Sequence, residues 1–326
     1  MEYGKNIRPI WLNDTRASHD RKRIVCFGDS FIMADNAIVG GVHLINRPFK
    51  DLIAHEQLVD DYRNNPEFAG KHQGEIHAFD ESHRFFEKYT GNWMTKLAMK
   101  LDHDFTTYGL GGSGTHYAYY NMLRYLEFRN NVRTPNLNPP DVIIFVINSV
   151  HRVWNKDIPN VCPGSLMNNQ QAMEAGTWEG TEKNRQIWGA LGHYYADLFD
   201  GDHEKQQKVH LMHYFDTCIA PQYPETKFVI LHAFPDVHNN NEVDDLDPAN
   251  YAYFYDFKNC MEIRPPLMHL SRMDEMPDDL LDEIRPNHFS TRMHDLFSSY
   301  LFNQIQDFKP GGHFCPISLE QLENYQ

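Results

Sequence analysis

The chain has 326 residues, a formal net charge of -15 and 13% aromatic residues, a length that suits one large α/β domain with insertions or two modest domains, and a substantial core in either case. So acidic a chain lacks the excess of Lys and Arg that neutralises phosphates, which excludes nucleic acid as the expected partner. It carries no run of about 20 apolar residues, and its start "MEYGKNIRPIWLND" lacks the basic and then apolar layout of a signal peptide, so a soluble, cytoplasmic protein with no membrane span is expected.

In chain order, the first predicted element is a short buried strand over Ile24–Phe27, which is β-branched and bounded by charge on one side and Gly28 on the other. It stops at "GDSF", Gly28 to Phe31. Farther on, "NWMTKLAMKL" places Trp93, Leu97 and Leu101 at helical spacing with Asn92 as N-cap. "DHDFTTYG" then reads as a strand ending at Gly109, and "LGGSG" leads into a helix over Thr115–Phe128. "DVIIFVIN", Asp141–Asn148, has the length and β-branching of a central parallel strand. A helix over "EKQQKVHLMHYFDTCI" precedes a further strand, Lys227–Phe234, and a last helix over Thr291–Phe308 puts Met293, Leu296, Phe297, Tyr300 and Leu301 on one side. Strands alternating with helices predict a three-layer α/β/α sandwich around a central, mostly parallel sheet. Two stretches break the alternation, about 45–90 and about 154–202, and are read as insertions in a single domain spanning 1–326.

Ligands on such sheets bind beyond the carboxyl ends of the strands, which draws attention to four short stretches. Ser30 stands just past a strand end, where a turn at Gly28 lifts its hydroxyl toward solvent; such a serine is a nucleophile if a base is near and a turn or cap residue otherwise. "YGLGGSGT", Tyr108 to Thr115, has glycines that let backbone N–H groups approach a ligand and stabilise an oxyanion. Asn148 is an amide at the tip of an apolar strand, able to donate to an oxyanion or to close an Asx-turn. His288, in "RPNHFSTRMHDLFSSYL", lies in a loop before the final helix, where an imidazole can act as general base.

These four stretches together resemble the blocks of the SGNH hydrolases, the GDSL esterase and lipase superfamily: "FGDSF", "GLGGSGT", "FVIN" followed by Ser149, and "PNHFS", in that order. The ending "RPNHFSTRMH" is also similar to forms of this domain in tailed bacteriophages. The resemblance implies a flavodoxin-like fold, Ser30 as nucleophile with its own N–H in the oxyanion hole, Gly112 (or Gly111) and Asn148 as further donors, and His288 as base. It also implies ester hydrolysis without cofactor or metal, with a small acyl group such as acetyl on a carbohydrate as the preferred small-molecule substrate. Two positions depart from the pattern. The family's aspartate three residues before the histidine is Arg285 here, so the imidazole would be oriented by Asp282 or Glu283 folding back, by a backbone carbonyl, or by nothing, as in a dyad. The aspartate that commonly follows the asparagine is Ser149. Losing the orienting acid costs up to about four orders of magnitude in rate in the serine-protease template, which makes a catalytically weak binding or structural module, such as a virion component, the alternative.

Other patterns carry less. Gly109, Gly111 and Gly114 match G-x-G-x-x-G, but Glu127 falls in the predicted helix and not at the end of the next strand, so a dinucleotide site is not expected. His210 and His213 lack a third metal ligand by spacing. His232 reads as a hydrogen-bonded core histidine, and Asp274–Glu283 as a solvated acidic face. Tyr117, Tyr119, Tyr120 and Tyr125 read as core, with those nearest the glycine block able to stack on a sugar ring. The five cysteines, Cys26, Cys162, Cys218, Cys260 and Cys315, are widely spaced with no C-x-x-C pair, as expected of free thiols in a reducing compartment.

Overall fold

The computed structural model of the chain describes residues 22–32, 93–109, 112–129, 139–152, 161–178, 181–234, 254–273, 289, 291–314 and 319–324. Strands β1 (Arg23–Gly28), β2 (Asp104–Gly109), β3 (Val142–Ile147), β4 (Lys227–His232), β5 (Met261–Ile263) and β6 (His313–Phe314) form one all-parallel sheet in the order β2-β1-β3-β4-β5-β6. The helices are α1 (Trp93–Leu101), α2 (Thr115–Arg129), α3 (Pro163–Glu174), α4 (Glu182–His193), α5 (Gly201–Tyr214), α6 (Leu267–Met273), α7 (Thr291–Gln306) and α8 (Leu319–Glu323).

Every residue of β1 and β3 is buried, and successive side chains go to opposite faces. Ile24, Cys26, Val142, Ile144 and Val146 pack with Trp93 and Leu97 of α1 and with Met293, Leu296 and Phe297 of α7. Val25, Phe27, Ile143, Phe145 and Ile147 pack on the other side with Ala118 and Met122 of α2 and Met212 of α5. Burial on both faces is why these strands read as continuous apolar runs. Tyr108 stacks on Phe27 at 5.1 Å, with Tyr125 edge-on to Phe27, and Tyr117 is buried, so these rings belong to the core.

Asp141 fixes the amino-terminal side of three strands. Its carboxylate accepts the Arg23 N–H at 2.9 Å, its own N–H donates to the Arg23 carbonyl at 3.0 Å, and its carbonyl accepts the Lys227 N–H at 2.8 Å. On α1, the Trp93 N–H donates to His294 Nδ1 at 3.1 Å and the indole N–H to the Phe31 carbonyl at 3.2 Å, which ties the turn after β1 to the α1–α7 layer.

The strand order 2-1-3-4-5, here extended by β6, is a common doubly wound order whose chain reverses direction between β1 and β3. Accordingly α1, which follows β1, packs on one face, and α5, which precedes β4, packs on the other. On doubly wound sheets ligands bind at such a reversal, outside the carboxyl ends of the strands.

Three details differ from the sequence expectation. The helix foreseen over Glu204–Ile219 is α5 followed by a π-helical turn, Phe215–Ile219. The stretch about 154–202, read only as an insertion, contains α3 and α4; the stretch about 45–90 and the Asn92 cap lie outside the described residues. Strands β5 and β6 were not foreseen, because the first is three residues long with Glu262 at its centre and the second is two residues long. Among the described residues no helix is long and apolar enough to cross a membrane.

Candidate active site

The turn after β1 is organised by Asp29, which is fully buried. One carboxylate oxygen accepts the Phe31 N–H at 3.2 Å, and the Asp29 carbonyl accepts the Ile32 N–H at 3.2 Å, so a tight helical turn over Ser30–Ile32 starts at Ser30. The other carboxylate oxygen accepts Arg152 Nη1 at 2.7 Å. Arg152 also donates to the Ser113 carbonyl at 3.2 Å, and its guanidinium lies over the Phe234 ring, 4.4 Å from the centroid. One side chain thereby joins the loops after β1, β2, β3 and β4.

The glycine block fits into this frame through two backbone requirements. Gly112 has φ +79°, the left-handed region that glycine adopts at little cost. Gly114 faces the Arg152 carbonyl so closely that a Cβ would stand 2.2 Å from its oxygen. Ser113 then donates from Oγ to the Gly28 carbonyl at 3.2 Å. The Thr115 hydroxyl accepts the Asn148 N–H at 2.8 Å and donates to the Asn148 carbonyl at 3.3 Å, and that carbonyl also accepts Lys208 Nζ at 3.2 Å.

The backbone of Asn148 is thus fully bonded, while its side chain is not. The residue is 0% exposed, and neither Nδ2 nor Oδ1 has a hydrogen-bond partner among the described residues. A buried amide in that condition costs about 1–3 kcal/mol relative to a bonded one, so its retention calls for a use. Its NH₂ group is free to donate to an oxygen that develops negative charge.

Of the residues singled out in the sequence, Gly112 stands three residues before Thr115, whose hydroxyl bonds the Asn148 backbone, and Ser113 between them bonds the carbonyl of Gly28, two residues before Ser30. The side chain of Ser30, and His288, Asp282 and Glu283, lie outside the described residues. The immediate successors of Ser30 and His288 are described: the rings of Phe31 and Phe289 meet edge to face with centroids 6.1 Å apart, both buried, and Phe234 stands 5.9 Å from Phe31. Sequence reasoning missed Arg152 and Asp29 as a pair, since nothing local links residues 123 positions apart.

A second polar cluster lies at the β4–β5–β6 edge. Glu262, fully buried, accepts hydrogen bonds from His232 Nε2 at 2.7 Å and His313 Nδ1 at 2.8 Å and is ion-paired with Arg264, whose Nη2 lies 2.6 Å away, so His232 is the hydrogen-bonded core histidine the sequence suggests. Burial alone pushes the Glu262 carboxyl up, but the His232 hydrogen bond and the charges of His232, Arg264 and His313 outweigh it and hold the group below its ordinary value. A carboxyl depressed on folding stabilises the native state above the unfolded value of about 4.3, and that contribution is lost as pH falls through the folded value. Glu262→Gln should therefore cost about 3 kcal/mol at pH 7 and flatten the acid limb of a stability-against-pH curve measured by urea unfolding.

Exposed His210 and His213 on α5 gather no third ligand; among the described residues no group of three His, Cys, Asp or Glu is arranged to hold a metal ion. Cys26, Cys218 and Cys260 are free thiols, and Cys315 lies outside the described residues. Comparison of the chain with family models, with curated proteins and with solved structures finds no match.

Proposed function

We propose that this chain is a serine ester hydrolase on a three-layer α/β/α sandwich of the SGNH type. His288 takes the proton of the Ser30 hydroxyl as the oxygen attacks an ester carbonyl, and the tetrahedral oxyanion is held by the N–H groups of Ser30 and Gly112 and by Asn148 Nδ2. His288 then returns the proton to the departing alcohol. Water, deprotonated by the same imidazole, releases the acid and restores Ser30. The observation that carries the reading is the fully buried, unpartnered amide of Asn148 at the rim where the β1 turn and the glycine block meet. The Phe31–Phe289 contact supports it, because the residues that follow Ser30 and His288 in the chain pack against each other.

The test is turnover of a chromogenic acetyl ester together with fluorophosphonate labelling. Wild type should be labelled and should turn over, and Ser30→Ala should lose labelling and about five to six orders of magnitude in kcat, as removal of a serine nucleophile does elsewhere. Neither labelling nor turnover in wild type would point to the binding module that Arg285 in place of the orienting acid suggests.

A further inference from the structure

The loop that carries Asn148 also carries His151, three residues on, and His151 belongs to an aromatic group that catalysis as described does not use. Its ring lies 5.1 Å from that of Phe199 at an interplanar angle of 31°, and Phe199 in turn lies 5.6 Å from Tyr195 and 6.1 Å from Tyr194. The grouping follows from a local irregularity. Tyr194–Leu198 is a π-helical turn in which the Phe199 N–H donates to the Tyr194 carbonyl at 2.7 Å, and this wider turn brings positions i, i+1 and i+5 onto one side. Such single turns recur at functional sites.

The phenol hydroxyls are committed to the fold. Tyr195 Oη donates to the His151 carbonyl at 2.7 Å, and Tyr194 Oη donates to Glu204 at 2.7 Å. Burial and the Glu204 bond push the Tyr194 phenol up to about 12, so it stays protonated and the donation persists. The rings are held as fixed plates, yet His151 is exposed and Tyr194, Tyr195 and Phe199 are only half-buried. Rigid, partly open rings with a carboxylate at the edge suit a ligand that offers an apolar face and a hydroxylated rim.

We propose that His151, Tyr194, Tyr195 and Phe199 form a shelf on which the alcohol part of the substrate, a pyranose sugar ring, stacks while its acyl group reaches Asn148. This rests on the hydrolase reading above. The link is physical: residues 148–152 connect the oxyanion donor to the shelf, with the Arg152 side chain anchored on Asp29 and Tyr195 bonded to the loop at His151. The ring face packs on the plates, and Glu204 accepts from sugar hydroxyls.

Kinetics on two esters test the shelf. Ethyl acetate, whose alcohol part has no ring to stack, needs only the oxyanion site, whereas methyl 6-O-acetyl-glucopyranoside also needs the shelf; acid release followed in a pH-stat reports both. Phe199→Ala should lower kcat/KM for the glucoside about tenfold, the size of one ring contact, and that for ethyl acetate far less. Phe199→Leu, which keeps most of the volume, should behave alike if the alanine variant folds poorly, and Phe199→Trp should retain activity. Equal effects on both esters, no effect on either, or a wild type that hydrolyses ethyl acetate alone would overturn the proposal. If wild type hydrolyses neither, the hydrolase reading fails by itself, and saturation-transfer NMR with the same glucoside decides the shelf. Sugar contacts present in wild type and lost in Phe199→Ala retain it, and their absence in wild type removes it.

Discussion

Asn148→Leu should lower kcat by about two to three orders of magnitude while leaving resistance to urea unchanged or improved. The two effects have opposite origins. A donor aimed at a developing oxyanion contributes about 3–4 kcal/mol to the transition state, and its loss appears in kcat. Among the described residues the same amide has no hydrogen-bond partner, so an apolar side chain of similar shape removes a buried polar group without breaking a hydrogen bond seen there. Asn148→Asp should lose at least as much activity, because a carboxylate repels the oxyanion it replaces a donor for. Urea unfolding and steady-state kinetics on the same preparations check both halves. A variant that unfolds more easily yet keeps its activity would mean that Asn148 serves the fold and not the chemistry.

Arg152→Met is the second large effect, and it should be chiefly a stability effect. Asp29 is completely buried and Arg152 nearly so, with 14% of its side chain exposed. Removing the guanidinium takes an ion-pair partner from a buried carboxylate, which in comparable pairs costs about 3–5 kcal/mol. The double variant Asp29→Asn, Arg152→Met should recover much of that loss, since the charge and its partner go together. The pair also positions groups it does not react with. Arg152 spans Asp29, Ser113 and Phe234, so its loss should reduce kcat even under conditions where the variant remains folded. Recovery of stability without recovery of kcat in the double variant is the expected signature of a positioning residue.

How much of this could be read from the sequence depends on whether the cause was local. β1, β3 and β4 were legible because two covered faces demand unbroken apolar runs, and α1 and α7 because a one-sided core imposes helical spacing. β5 was not, because Glu262 sits where an apolar residue is expected and its charge is balanced by His232, Arg264 and His313 from elsewhere in the sheet edge. The polar composition of α3 hid a helix whose small core is confined to Val161, Leu166 and Trp188 and the rings around them. At the rim, Gly112 and Asn148 drew attention because both follow strand ends, and the structure adds the positive φ of the one and the complete burial of the other. The Arg152 clamp and the state of the Asn148 amide were out of reach, since both are set by which distant loops meet.

The position of β1 between β2 and β3 has a consequence for biosynthesis. When β1 and β2 have left the ribosome but β3 has not, the strand at the heart of the final sheet still presents an unpaired backbone edge, and its partner Asp141 lies 118 residues downstream of Arg23. Such an edge is a template for pairing with another nascent chain, and contacts this distant in sequence form late. Shielding by a chaperone during that interval, or slow translation matched to it, should therefore decide the yield of native protein more than any single contact in the finished molecule.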